Sequence, residues 1–293
     1  MKPWKFGKSL LTTDLSDNAR QAYECAASLT SKFEATLHLV HFAGAILNLV
    51  PTASRDKLLD TLEQALTDES SQHQKFEDID IQPRLEPQRW TRKRQRTLEQ
   101  ELDIDLIVMS PQGRTGLAKM LLGSFADRLV RHSSVPVLLF RPTENSATLN
   151  PRTVLVPHDF YDRPQAVLPA IRWLDQQFNS TFRFLHVYDP SFMTSPQSVR
   201  GMERQFALAL KSTHTMSIED RFAKLVDEEL QELDATLETA QGIPSQQVVQ
   251  RANHLPADLV LLAKRDGLGS VARSVIREAK CSVLTIPTME EDA

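Results

Sequence analysis

Cysteine is almost missing from this chain: Cys25 and Cys281 are the only two among 293 residues. One pair cannot staple a protein of this size, so a disulfide scaffold is excluded and a reducing compartment, the cytoplasm, is expected. Both read as small buried residues, because nothing beside them in sequence would activate a thiolate. A surplus of positive charge is missing as well, since 34 Lys and Arg face 38 Asp and Glu for a net charge of -4. No overall attraction to nucleic-acid phosphates or to an anionic membrane follows, and neither is expected as a partner. Long apolar runs are absent too. The basic start leads straight into Ser9-Leu10-Leu11-Thr12-Thr13-Asp14 without a signal-peptide stretch, and no later segment approaches the length of a membrane span. Neither a Walker loop nor the paired-glycine Rossmann turn occurs, and no His-x-x-x-His or Cys-x-x-Cys pair is found.

What is present is ordinary globular material, 41% hydrophobic and 25% charged, in a length that suits two domains with a core each. The chain repeats itself. Lys8-Ser-Leu-Leu-Thr-Thr-Asp14 is echoed by Thr153-Val-Leu-Val-Pro-His-Asp159, and Leu37-His-Leu-Val-His41-Phe42 by Phe182-Arg-Phe-Leu-His186-Val187, both at an offset of 145. Asp105 to Met109 answers to Asp258 to Leu262 at an offset of 153, and Gly123-Ser124 to Gly269-Ser270 at 146. The second copy is therefore seven residues shorter between that strand and the Gly-Ser pair. Val137 to Phe140 and Val283 to Ile286 close the copies.

Short apolar runs spaced by amphipathic segments predict βαβ units, hence an α/β fold of two doubly wound parallel five-stranded sheets in tandem. The halves are drawn at residues 1–145 and 151–293, through a Pro-, Thr-, Asn- and Ser-rich stretch from Arg141 to Arg152. Helices are predicted over Asn18 to Phe33, with Ser16 or Asp17 as N-cap, over Arg55 to Leu66, over Arg92 to Leu102 and from Phe125 onward. In the second copy, Val248 to Asp258 leaves little room for a full helix before the fourth strand. The ligand site of such a fold belongs at the carboxyl ends of the strands.

The run Ser110-Pro-Gln-Gly113-Arg114-Thr-Gly-Leu-Ala-Lys-Met-Leu-Leu-Gly123-Ser124 follows the strand Asp105 to Met109. Its glycines admit phosphate oxygens close to backbone amides, and the Gly-Ser pair sits where a helix N-terminus offers unpaired donors. A plain strand-to-helix connection with glycines at turns is the alternative. Gly113, nine residues and then Gly123-Ser124 resemble the glycine-loop signature of the universal stress protein family, with Ser110 where the family has its first glycine. The order around it is similar to that family nearly throughout and twice over, in the adenine nucleotide alpha hydrolase-like fold.

The resemblance implies ATP or ADP held in the first half, with Mg2+ or Mn2+ bridging the phosphates. It gives Asp14 and Phe42 to the adenosine and Gly113, Gly123 and Ser124 to the ribose and phosphates, with Thr13, Met109, Ser110, Arg114 and Phe125 as further cofactor-binding residues. In the second half only Ala263 to Leu268 separate Leu262 from Gly269. That is too few to wrap a triphosphate, so this copy is expected to serve packing and pairing.

No nucleophile-base pairing is apparent, and an enzyme is not expected. The leading expectation is a nucleotide-responsive stress-response binding protein with an unknown protein partner. Its rival is an interaction scaffold that binds no nucleotide; slow ATP hydrolysis is the weakest alternative. His158, Asp159 and His186 could approach one another, but a structural role at strand ends is favoured over a metal site. Arg89, Arg92, Lys93, Arg94 and Arg96 around Trp90 form a basic cluster, read as a solvated surface because Glu99, Glu101, Asp103 and Asp105 follow closely. The apolar closing strands are edge candidates, so pairing of the halves along them, or of chains in a homodimer, is expected.

Overall fold

The computed structural model describes residues 6–74, 79–111, 123–142, 147–160, 166–189, 217–255, 257–264 and 267–288. The first half runs β1 (Lys8–Thr12), α1 (Asp17–Arg20), α2 (Tyr23–Lys32), β2 (Thr36–Phe42), α3 (Gly44–Leu47), α4 (Arg55–Gln74), β3 (Asp80–Glu86), α5 (Arg92–Glu101), β4 (Leu106–Met109), α6 (Ser124–His132) and β5 (Val137–Leu139). The second runs β6 (Thr153–Pro157), α7 (Leu168–Phe178), β7 (Thr181–Tyr188), α8 (Ile218–Glu229), β8 (Ala235–Gln241), α9 (Pro244–His254), β9 (Leu259–Lys264), α10 (Ser270–Glu278) and β10 (Ser282–Pro287).

The strand order is β3-β2-β1-β4-β5-β10-β9-β6-β7-β8. Each half is thus a parallel five-stranded doubly wound sheet whose order reverses between β1 and β4, or between β6 and β9. Those reversals open a crevice at the carboxyl ends, where ligands of such sheets bind. The two five-stranded sheets join into one of ten strands along the closing strands named from the sequence as edge candidates. Closing strands β5 and β10 pair antiparallel, with Val137 opposite Thr285, Leu138 opposite Leu284 and Leu139 opposite Val283. A strand that is apolar on both faces needs covering on both faces and along its edge, and this pairing meets the last need.

Alternation along the strands divides the core into two layers. Leu11, Leu37, Val108 and Leu138 face one side, while Leu10, Val40, Ile107 and Leu139 face the other. Both layers continue through the second half, and Phe6 meets Trp173 edge-on at 4.6 Å between ring centroids. The start of each half is pinned alike: Asp105 Oδ2 accepts from the amides of Gly7 (2.8 Å) and Lys8 (3.0 Å), and Asp258 Oδ2 from those of Arg152 and Thr153 (both 2.9 Å).

Two helical expectations change. The run predicted over Asn18 to Phe33 breaks at Gln21-Ala22 into α1 and α2, with Ser16 capping α1 through a bond from the Ala19 amide at 3.2 Å. The helix before β9 is a full one, because it starts at Pro244, ahead of the segment judged too short. Proline at a first helical position costs nothing, since that amide has no partner within the helix.

Candidate functional site

Both halves make the same turn where the first strand ends. Thr13 Oγ1 accepts from the Leu15 amide at 2.9 Å, and His158 Nδ1 from the Phe160 amide at 2.8 Å. Leu15 (φ 62°) and Phe160 (φ 59°) take the left-handed backbone that side chains resist. The strain is held by tertiary contacts: His41 Nδ1 donates to the Thr13 carbonyl at 2.8 Å and His186 Nδ1 to the His158 carbonyl at 3.2 Å. The strand-end histidines therefore fix one turn twice. Asp14 follows, its Oδ1 accepting from the Ser16 amide (3.1 Å) and hydroxyl (2.5 Å).

Met109 and Ser110 are buried at the end of β4, and Gly113 and Arg114 lie outside the described residues. The Gly123 amide donates to the Pro111 carbonyl at 3.1 Å, so both ends of the intervening loop spring from one point at the start of α6. Gly123 has φ -60°, and among the described residues a Cβ there would meet only the Pro111 oxygen, at 3.7 Å. Neither the backbone conformation nor packing among the described residues demands glycine here. Phe42 and Phe125 bring their ring centroids to 5.5 Å, and Trp90 joins Phe125 at 6.2 Å, with the Arg128 guanidinium 5.4 Å from the Trp90 ring. Among the predicted residues, the described ones thus gather at the first crevice, and Trp90 is an addition.

Trp90 also lies 6.0 Å from His132. Burial, then the nearby charges of Arg92, Arg131, Lys264 and Arg96, hold His132 below its ordinary value of 6.5. Burial, then Lys8 and Arg84, do the same to His38, against the opposing Asp80. A depressed folded pKa means that the unfolded chain takes protons first as pH falls. Stability should therefore be full above 6.5 and decline below it. Urea midpoints measured at about pH 7.5 and about pH 5.5 should show the drop, and replacing both histidines by glutamine should flatten it. A midpoint that is higher on the acidic side would contradict the assignment.

Of the acids expected to offset the basic cluster, Glu101 reaches one member, Arg94, and the others are engaged elsewhere. Glu99 accepts from Gln95 Nε2 (2.7 Å) and from the Ser134 amide (3.0 Å), Glu101 pairs with Arg84 and Arg94, Asp103 with Lys8, and Asp105 holds its two amides. Arg92, Lys93 and Arg96 stay exposed, while Arg94 turns inward to Glu86. Burial works to raise the Glu86 carboxyl, and hydrogen bonds and charge from Arg94 and Arg84 outweigh it, so it sits below the ordinary carboxylate value.

In the second half, a cavity of about 540 Å³ opens at the equivalent crevice, between the ends of β6, β7 and β9 and the helices α9 and α10. Val187, Val248, Leu262 and Val271 line it. Repeat offsets set Val187 at the place of Phe42 and Val271 at that of Phe125. Those offsets were the available signal for this cavity; loop length alone concealed it.

A family model described as the universal stress protein family matches the chain twice, over residues 5–141 and 150–287. The chain belongs to the universal stress protein family. A universal stress protein from Archaeoglobus fulgidus DSM 4304 shares its fold with a TM-score of 0.72 at 17% identity, covering 99% of each chain. A functionally unknown protein from Pseudomonas aeruginosa PAO1 aligns with a TM-score of 0.58 at 14% identity, over 96% of this chain and 92% of its own. No curated protein matches the chain in sequence.

In this tandem universal stress protein, each half sends a cation to the carbonyl end of the other's last helix. Lys264 Nζ donates to the carbonyls of Val130 (3.0 Å), Arg131 (3.2 Å) and Ser133 (2.7 Å) at the end of α6. Arg141 donates to Ile276 (2.6 Å) and Cys281 (3.5 Å) at the end of α10. Cys25 and Cys281 are buried, and burial raises both thiols, Cys281 to about 11 and Cys25 further, so neither is an activated nucleophile. Among the described residues no helix is long and apolar enough to cross a membrane, and no group of three or more metal-ligating side chains occurs.

Proposed function

We propose that this universal stress protein is a nucleotide-responsive binding protein that performs no chemistry of its own. ATP, with Mg2+ or Mn2+ bridging its phosphates, is held in the first half between the end of β1, the end of β2 and the start of α6. The observation that carries this reading is Gly123, a glycine that neither its φ nor its described neighbours require, set at a helix start. The first amides of α6 have no acceptor within the helix, and a positive dipole end lies behind them. A side chain at position 123 would stand in front of those donors. The rings of Phe42, Phe125 and Trp90 offer a face on which a flat base can stack, worth about 1–3 kcal/mol per base. Bound nucleotide changes the charge and surface at this crevice, and the altered surface is what a partner protein reads. No residue is assigned to hydrolysis, and His41 uses Nδ1 to hold the Thr13 turn.

Calorimetry should find one ATP per chain. Gly113→Val and Gly123→Val should each weaken binding by about a hundredfold, about 2.7 kcal/mol, whereas Gly269→Val should leave it intact. Two sites per chain, or loss of binding on changing Gly269 alone, would remove the first half from the role. Nucleotide-free protein that takes up none leaves the scaffold reading in its place.

A further inference from the structure

We infer that the cavity of the second half is a ligand site in its own right, for a compact apolar molecule carrying a single negative charge. This stands apart from the reading of the first half. The space is about 540 Å³, within the range of small-molecule sites, and its aliphatic wall comes from Val187, Val248, Leu262 and Val271. The polar groups on its surface are mostly committed. Lys264 spends three donors on the end of α6, Thr288 Oγ1 donates to the Lys264 carbonyl at 3.0 Å, and His158 Nδ1 receives the Phe160 amide. Asp159 also lines the cavity, but its side chain is exposed to water and a carboxylate can only accept. Two sets of groups remain to meet a ligand.

One is the first turn of α10, where Ser270, Val271 and Ala272 line the cavity and their amides have no acceptor within the helix. Among the described residues a Cβ added at Gly269 would meet nothing within 4 Å, so none of them blocks the approach. The other is His186, 5% exposed and on the cavity wall. Its Nδ1 donates to a carbonyl, which in the neutral ring makes Nε2 an acceptor, and among the described residues that nitrogen has no partner. The site thus offers donors at one end, one buried acceptor and aliphatic walls between.

Such a surface fits a carboxylate on an apolar body, with a hydroxyl or amine reaching His186. A triphosphate does not suit it: six residues separate Leu262 from Gly269, against thirteen between Met109 and Gly123. The aromatic wall that would stack a base in the first half is also reduced to two valines.

The probe is anilinonaphthalene sulfonate, an apolar body with one anionic group, titrated by fluorescence against the full chain. Saturable binding at one site per chain is expected. Naphthoate should displace the probe at least about tenfold better than uncharged naphthalenemethanol, and ATP should not displace it. Val187→Phe with Val271→Phe rebuilds the ring pair that the first half carries and fills the cavity. It should weaken the probe by at least about tenfold, although it adds apolar surface. Unchanged affinity in that variant, equal displacement by the uncharged analogue, or competition by ATP would each overturn the assignment. Should the variant unfold, methyl spectra of the natural chain decide: the probe must shift Val187, Val248 and Val271 and leave Val137 and Val283 of the closing strands in place, and a lack of shifts at the lining valines refutes the site.

Discussion

Gly44→Ala should cost the first half about 3 kcal/mol or more, the scale of a steric clash that backbone cannot escape. A Cβ on Gly44 would stand 2.2 Å from the Arg89 nitrogen and 2.4 Å from both Arg89 Cα and the Gln88 carbonyl carbon. Gly44 opens α3 directly after β2, and the chain leaving β3 crosses over it on the way to Trp90. The preceding Ala43 amide donates to the Glu86 carbonyl at 2.8 Å, so the crossing cannot lift without breaking that tie. Denaturant titration of the alanine variant checks the claim, with Gly269→Ala as reference. There the new methyl meets nothing, and the cost should stay near 1 kcal/mol or below, the ordinary loss at a helix start. If Gly44→Ala unfolds within about 0.5 kcal/mol of the natural chain, the backbone approach is looser than described.

Lys264→Met should cost about 2–4 kcal/mol and loosen the end of α6, because three carbonyl oxygens lose their charged donor. Lys264 is 8% exposed, so water cannot readily replace it, and methionine keeps the stem's shape without the charge. A helix C-terminus also carries partial negative charge that a cation offsets. Hydrogen exchange at the amides of α6 should quicken in the variant together with the fall in melting temperature. A fall in melting temperature with α6 as protected as before would place the loss elsewhere.

Much of the fold could be read from the repeat. Offsets of 145 and 153 matched Asp14 with Asp159 and Asp105 with Asp258, and the structure gives each matched pair one geometry, a turn with a left-handed residue or a clamp on two amides. Local rules suffice for such features because their partners sit at fixed places in a βαβ unit. The basic cluster is a solvated helix face, with Arg92, Lys93 and Arg96 exposed, but the way its acids are used was hidden for the opposite reason. Glu99, Glu101, Asp103 and Asp105 are its neighbours in sequence, but helix and strand periodicity send only Glu101 to a member of the cluster, Arg94, and turn the others toward Gln95, Lys8 and the Gly7 amide. The α9 helix was missed by starting the count at Val248, four residues after its proline. The candidate site was legible as a place, the carboxyl ends of β1, β2 and β4. Its contents were less so: loop length marks where a triphosphate cannot go, whereas the cavity beside Val187 and Val271 depends on side-chain volume across three elements.

The antiparallel seam between β5 and β10 has a consequence for how this protein can change. In an assembly of two identical chains, any substitution appears on both sides of the two-fold axis at once. Here the sides are encoded separately, and they have already parted: Lys264 stands where the first half has Pro111, and Arg141 where the second has Pro287. Proline cannot donate a hydrogen bond, so neither half could cap its neighbour from the position the other uses. The linkage between the halves permits such one-sided chemistry, since the seam needs only complementary edges and leaves each crevice free to acquire a ligand of its own.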